Sequence, residues 1–224
     1  MKARDLYDPI QAVISHMTSE NPVSALRLVD VGAGAGLVLA ELKRNIESEW
    51  SGISVVPTAF EISPEAVTIA RTRNPNLDVR QKLVTQDDGP FDAAMLVDVL
   101  EHVENPWELL RTVYSCSEYL LVRQPLLGNF ARFRHDNYRD QRLQWGHIGY
   151  FNYRSFLDMT VACGWQPLHL NLLAPWELAS DVPRRKSLGA GLLLSLNRVM
   201  ASFIVDGFYL NAAFRRTRND DSRD

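Results

Sequence analysis

Cysteine is scarce in this chain of 224 residues: Cys116 and Cys163 are the two. They fall in different predicted elements, and no metal-ligand cysteine spacing exists. Reduced thiols of a cytosolic protein are the expectation. An excess of charge of one sign is also missing. Lys and Arg number 24 against 27 Asp and Glu, for a net charge of −3. That balance argues against bulk nucleic-acid binding. Long apolar runs are missing too. Met1-Lys-Ala-Arg-Asp5 lacks the apolar core of a signal peptide. The stretch from Leu188 to Phe208 is interrupted by Asn197, Arg198 and Asp206 and makes a poor transmembrane helix. No internal repeat or low-complexity segment occurs. With 46% hydrophobic and 23% charged residues, the chain suits one domain with a full core.

What the chain does have is concentrated first at Arg27 to Leu42, Arg-Leu-Val-Asp-Val-Gly-Ala-Gly-Ala-Gly-Leu-Val-Leu-Ala-Glu-Leu. Leu26 to Val31 reads as a buried strand. It breaks on Gly32, Gly34 and Gly36, and a helical pattern follows with Leu37, Ala40 and Leu42 as one buried face. Strand, glycine turn and helix open a doubly wound nucleotide-binding sheet. Glycine lets the backbone turn sharply and lets a ligand lie against it. The helix aims free N–H groups and a positive dipole end at that ligand. A dinucleotide site would want its third glycine at position 37. Leu37 stands there, which argues against a nicotinamide oxidoreductase.

Asp30-x-Gly32-x-Gly34-x-Gly36 resembles the first motif of class I S-adenosylmethionine-dependent methyltransferases. Phe91 to Val97, followed by Asp98-Val-Leu-Glu-His102, resembles the fourth motif of the small-molecule branch of that family, the ubiquinone-biosynthesis type included. The resemblance covers roughly residues 27 to 170. It implies an α/β fold: a single doubly wound, seven-stranded, mostly parallel sheet with an antiparallel last strand and helices on both faces. It implies methyl transfer from S-adenosylmethionine to an oxygen or nitrogen of a small-molecule acceptor. The cofactor-binding residues it implies are Asp30, Gly32, Ala33, Gly34, Gly36, Glu61, Ile62, Asp98 and Val99, with Asp98 facing the methionine end.

Glu61 has a reason of its own. It ends the second strand, Ile53 to Phe60, where a carboxylate accepts two hydrogen bonds from a ribose diol. Ser63 caps the next helix, with Pro64 at its first position and a stop at Asn74-Pro75-Asn76. Strand three lies within Leu77 to Val84. The family often places an acidic residue after it against the adenine amine. Gln81 and Lys82 stand there instead, which leaves the adenine contacts unassigned. Asn105 and Pro106 start another helix in a capping-box-like arrangement with Glu108.

Asp98, Glu101 and His102 have the donor types of a hard-ion site, and similar ubiquinone-type enzymes use such a cluster for a divalent metal. His102 reads as a structural hydrogen-bonding residue ahead of a catalytic or substrate-orienting one, and no metal is assigned. Strand five, Glu118 to Gln124, leads into an irregular segment, Leu126 to Tyr150, rich in Arg and aromatic residues. Such connections rise over the carboxyl edge of the sheet and serve as lids. Arg and aromatic side chains together hold anionic or aromatic small molecules. Gly146-His147-Ile148-Gly149-Tyr150-Phe151 resembles the His-x-x-x-Phe stretch near the family's substrate pocket, which makes His147 the first candidate general base. A histidine that pins the loop is the competing reading.

Helices are expected over Asp5 to Thr18, Tyr153 to Cys163 and Leu192 to Ser202, and strands over Trp165 to Leu173 and Ile204 to Phe214. Pro175 to Gly191, with Pro183-Arg-Arg-Lys186, reads as a second loop, and Thr217 to Asp224 as a disordered tail. The expected division is a leading helix (1–20), a cofactor-binding half (27–124) and a lid-bearing half (125–191). A cytoplasmic protein without nucleic acid or stable membrane insertion follows, with a homodimer left open. The alternative is a non-catalytic cofactor-fold protein that binds or assembles with a partner.

Overall fold

The computed structural model describes residues 2–135, 138–177 and 197–217. Their frame is a seven-stranded sheet in the order β3-β2-β1-β4-β5-β7-β6. The strands are β1 (Ala25–Val31), β2 (Ser54–Phe60), β3 (Asp78–Arg80), β4 (Phe91–Val97), β5 (Ser117–Pro125), β6 (Trp165–Leu173) and β7 (Tyr209–Arg216). Strand β7 inserts antiparallel between β5 and β6; the other neighbouring pairs are parallel. The central strands are mostly apolar because both of their faces are covered. Leu28, Val29, Ala93, Ala94, Met95, Leu120, Leu121 and Val122 are all buried.

Helices α1 (Lys2–Asp5) and α2 (Tyr7–Glu20) lead the chain. Leu6, Ile10, Val13 and Ile14 are buried, and α2 packs on β6 and β7. Helices α3 (Leu37–Glu49), α4 (Pro64–Arg73) and α5 (Pro106–Cys116) connect the parallel strands. The predicted caps form. Ala66 N–H donates to Ser63 Oγ at 3.2 Å, and Glu108 N–H to Asn105 Oδ1 at 3.1 Å. Leu37 does not join the buried face of α3. It is the helix's first residue and is 51% exposed, and Leu39, Ala40, Leu42 and Ile46 carry the packing.

Three further expectations change. Strand three shrinks to three residues, since β2 offers β3 only Thr58 to Phe60 as partners. The segment from Leu126 to Tyr150 is not irregular throughout. It forms α6 (Phe130–His135) and α7 (Tyr138–Trp145). Helix α8 (Tyr153–Ala162) is capped by Asn152 and stops before Gly164, whose φ is +94°. Helix α9 (Arg198–Ile204) occupies the start of the predicted last strand, and a turn at Gly207 (φ +86°) delays β7 to Tyr209. Where the chain leaves β5 and where it returns to β7, Leu126 N–H donates to the Phe208 carbonyl at 2.9 Å. Residues 178–196 and 218–224 lie outside the described residues, and with them the Pro183-Arg-Arg-Lys186 loop, the start of the predicted Leu192 helix and the tail. Among the described residues no helix is long and apolar enough to cross a membrane.

Candidate active site

The carboxyl ends of β1, β2 and β4 open onto a cavity of about 410 Å³. Gly32, Glu61, Ile62 and Val99 line it, with Phe60, Leu83 and Asn105. Gly32, Gly34 and Gly36 have φ of +76°, +55° and +70°, a region that side chains disfavour. The space around them differs. A Cβ on Gly32 would stand 2.8 Å from Val99 Cγ2, and one on Gly36 2.9 Å from Leu77 Cδ1. A Cβ on Gly34 would meet nothing within 4 Å. Two of the glycines are therefore needed for packing, and the third faces open space.

Glu61 clasps this loop. Its Oε2 accepts from Gly34 N–H at 2.7 Å, and its Oε1 from Ile62 and Ser63 N–H at 2.8 and 2.9 Å. Gly32 and Ala33 N–H donate to the Phe60 carbonyl, at 2.8 and 3.1 Å. Asp30 is buried at the end of β1, and its Oδ1 has no partner. Burial, and after it the charge of Glu61, push its carboxyl up to about 7. An unpaired buried carboxyl oxygen beside the loop fits a ligand's ammonium group. The exposed apolar side chains of Ile62 and Leu83, 64% and 71% accessible, fit a flat aromatic ring. Lys82, where the family often has an acid, is bound to Asp88 at 2.5 Å.

A second cavity, about 510 Å³, lies on the other side of the turn after β4. Val99 and Val103 line the first cavity; Asp98, Glu101 and His102 line the second. Asp98 adopts φ +56°. Its carboxylate pairs with Arg123 Nη1, at 2.6 Å to each oxygen, and with Lys2 at 2.7 Å. Arg123 Nε in turn donates to Asp5 at 3.1 Å, and its guanidinium lies 4.0 Å from the Tyr209 ring centre. Helix α1 is thereby tied to the site. Arg123 was missed as a site residue. Its signal was a lone charge within the apolar run of β5.

His147 is brought here by backbone bonds. Ile148 and Gly149 N–H both donate to the Glu101 carbonyl, at 2.8 and 2.9 Å. The His102 and His147 rings stand 4.9 Å apart, and His102 Nδ1 is 3.3 Å from the Gly146 carbonyl. His147 Nδ1 is 3.1 Å from Gln141 Oε1. Burial first, then the neighbouring His102 and Arg132 charges, hold His147 below its ordinary pKa. Glu101 is 1% exposed, accepts from Gln124 Nε2 at 3.2 Å, and is pushed up to about 8 by burial and by Asp98. One ligand-type atom each from Glu101, His102 and His147 lies within 4.8 Å of the others. Among the described residues this is the group able to gather around a cation. Asp98, expected in such a set, is held by Arg123 and Lys2.

The model of a methyltransferase domain family matches residues 3–170. That is most of the chain, glycine loop and His147 segment included. The chain belongs to this methyltransferase family. Among curated relatives, the ubiquinone biosynthesis O-methyltransferase of Maricaulis maris is 30% identical over 99 residues, 42% of this chain and 37% of the relative. That of Xylella fastidiosa is 29% identical over 101 residues, 42% and 38% of the two chains. The chain thus matches less than half the length of these relatives. In fold it is similar to an S-adenosylmethionine-dependent methyltransferase of Mesorhizobium loti (TM-score 0.56, 17% identity, 91% of this chain and 98% of the other). It is equally similar to the [4+2]-cyclase SpnF (0.56, 16%, 92% and 80%). The fold therefore does not by itself decide the chemistry.

Proposed function

We propose that the methyltransferase binds S-adenosylmethionine in the first cavity and methylates an oxygen or nitrogen of a small molecule held in the second. The observation that carries this reading is the turn from Asp98 to Val103, a wall shared by both cavities. The cofactor, when bound, supplies a methyl carbon made electrophilic by its sulfonium. Asp30 takes the ammonium of the methionine end. Gly32, Ala33, Gly34 and Gly36 form the loop on which the ligand lies, with Gly34 its open position, Glu61 faces the ribose, and Ile62 and Val99 border the nucleoside.

The protein's main task is alignment in a dry site, which supplies roughly 7–11 kcal/mol. An acceptor hydroxyl or amine must also lose a proton. With the Gln141 amide oxygen on Nδ1–H, His147 keeps the Nε2 lone pair free, and its lowered pKa keeps the ring neutral at pH 7. His147 receives the proton at Nε2, and His102 orients it edge to face. Base catalysis of this kind contributes about 10²–10⁴ in rate. The protein is read as cytoplasmic, with its buried Cys116 and Cys163 reduced.

Calorimetric titration with S-adenosylmethionine, S-adenosylhomocysteine and NADH tests the reading. Micromolar binding of the two sulfur compounds and none of NADH is expected. No binding of either sulfur compound overturns it. Cofactor binding without turnover on a broad panel of hydroxyl and amine acceptors favours a binding or assembly role.

A further inference from the structure

Arg132 is nine-tenths buried at the wall of the second cavity, and its hydrogen bonds are incomplete. Its Nε donates to Asp206 Oδ1 at 2.6 Å, and that oxygen also accepts from Asn129 Nδ2 at 3.1 Å and Gly207 N–H at 2.7 Å. Its backbone N–H donates to Asn129 Oδ1 at 3.0 Å. These contacts fix the Nε edge of the guanidinium. Neither terminal nitrogen has a protein partner among the described residues. A guanidinium presents five N–H donors, and Arg132 lines the cavity. The contrast with Arg123, held by Asp5 and by both oxygens of Asp98, is plain.

The surrounding charge points the same way. Lys2, Arg123 and Arg132 line the cavity together with two carboxyl groups, Asp98 and Glu101, and Asp98 is already paired with Lys2 and Arg123. Asp5 and Asp206, which pair with Arg123 and Arg132, do not themselves line the cavity. Arg132 and His147 line the same cavity, and the Arg132 charge is among the causes that lower the basicity of His147. Leu127, Trp145 and Phe208 offer apolar surface between them.

Resting on the two-cavity reading above, we propose that the methyl acceptor carries a carboxylate, which the two terminal nitrogens of Arg132 take side by side while the reacting hydroxyl or amine lies at His147. The planar fork of Arg matches a carboxylate in this bidentate way.

The test uses the full chain saturated with S-adenosylhomocysteine. Three hydroxy acids of different bodies (4-hydroxybenzoate, 3-(4-hydroxyphenyl)propanoate and 12-hydroxydodecanoate) are titrated calorimetrically against their neutral primary amides. At least one acid is expected to bind tenfold or more tighter than its amide. Arg132→Gln is expected to abolish that preference and Arg132→Lys to retain part of it, both with unchanged affinity for S-adenosylhomocysteine. The proposal is overturned if no acid outbinds its amide threefold in the wild-type protein, a result that does not depend on any variant folding. It is also overturned if the preference survives in a folded Arg132→Gln. Failure of S-adenosylhomocysteine to bind at all is a separate result, and counts against the two-cavity reading.

Discussion

Replacing Glu101 with Gln isolates the electrostatics of the second cavity. The wild-type carboxyl is buried, and its folded pKa is about 8 against an ordinary 4.5. Between those values the folded protein keeps a proton that the unfolded chain has lost. The folded state binds more protons across this window, so raising the pH through it lowers stability. The favourable contribution is complete below about pH 4.5 and lost as the pH rises through about 8. The displacement, 8 minus 4.5, is about 3.5 units. At 1.36 kcal/mol per unit, with some relaxation and water entry in the charged state, it amounts to roughly 2–5 kcal/mol. Gln keeps the size of the side chain and cannot ionise. Urea unfolding of both proteins, followed by circular dichroism at pH 5, 7 and 9, reads the difference. The variant is expected to gain roughly 2–5 kcal/mol on the wild type between pH 5 and pH 9. A difference that stays flat within about 0.5 kcal/mol would refute the argument that Glu101 is held protonated by its surroundings.

Glu61→Ala removes three bonds to backbone N–H groups of the glycine loop and the α4 start, and cofactor affinity should fall tenfold or more by calorimetry; unchanged affinity removes Glu61 from the site. Asp30 ionises near pH 7, so affinity for the cationic methionine end should rise as the pH goes from 6 to 8, and Asp30→Asn should flatten that rise. His147→Ala should keep S-adenosylhomocysteine binding and lower turnover by about 10²–10⁴; equal loss of both assigns the residue to holding the fold. Turnover is expected to survive a strong chelator, and its abolition would replace the base role with a cation held by Glu101, His102 and His147.

Much of the cofactor side was legible in the sequence because its signals are local. Strand β4 runs from Phe91 to Val97 and β6 from Trp165 to Leu173 as the apolar runs indicate, and the Ser63 and Asn105 caps sit where they were expected. The Leu126–Tyr150 segment was harder. Its helices are six and eight residues long, and no residue of the second is buried. Such helices lack the apolar stripe by which helices are read. The second cavity was legible only in pieces. His102 and His147 are 45 positions apart, and what joins them is a pair of backbone bonds to the Glu101 carbonyl, which leave no mark on side-chain pattern. Arg132 could be suspected from composition, but its role depends on Asp206, 74 positions away.

The hydrogen bond from Leu126 to Phe208 joins the two ends of everything between β5 and β7. That excursion carries α6, α7, His147 and Arg132, while the glycine loop, Asp30 and Glu61 precede it. Its entry and exit already touch, so its length and content can change without moving the strands that leave and rejoin the sheet. Lys2, Asp98, Glu101 and Arg123 line the second cavity from outside that excursion, so a change within it alters one wall of the cavity and leaves the other in place.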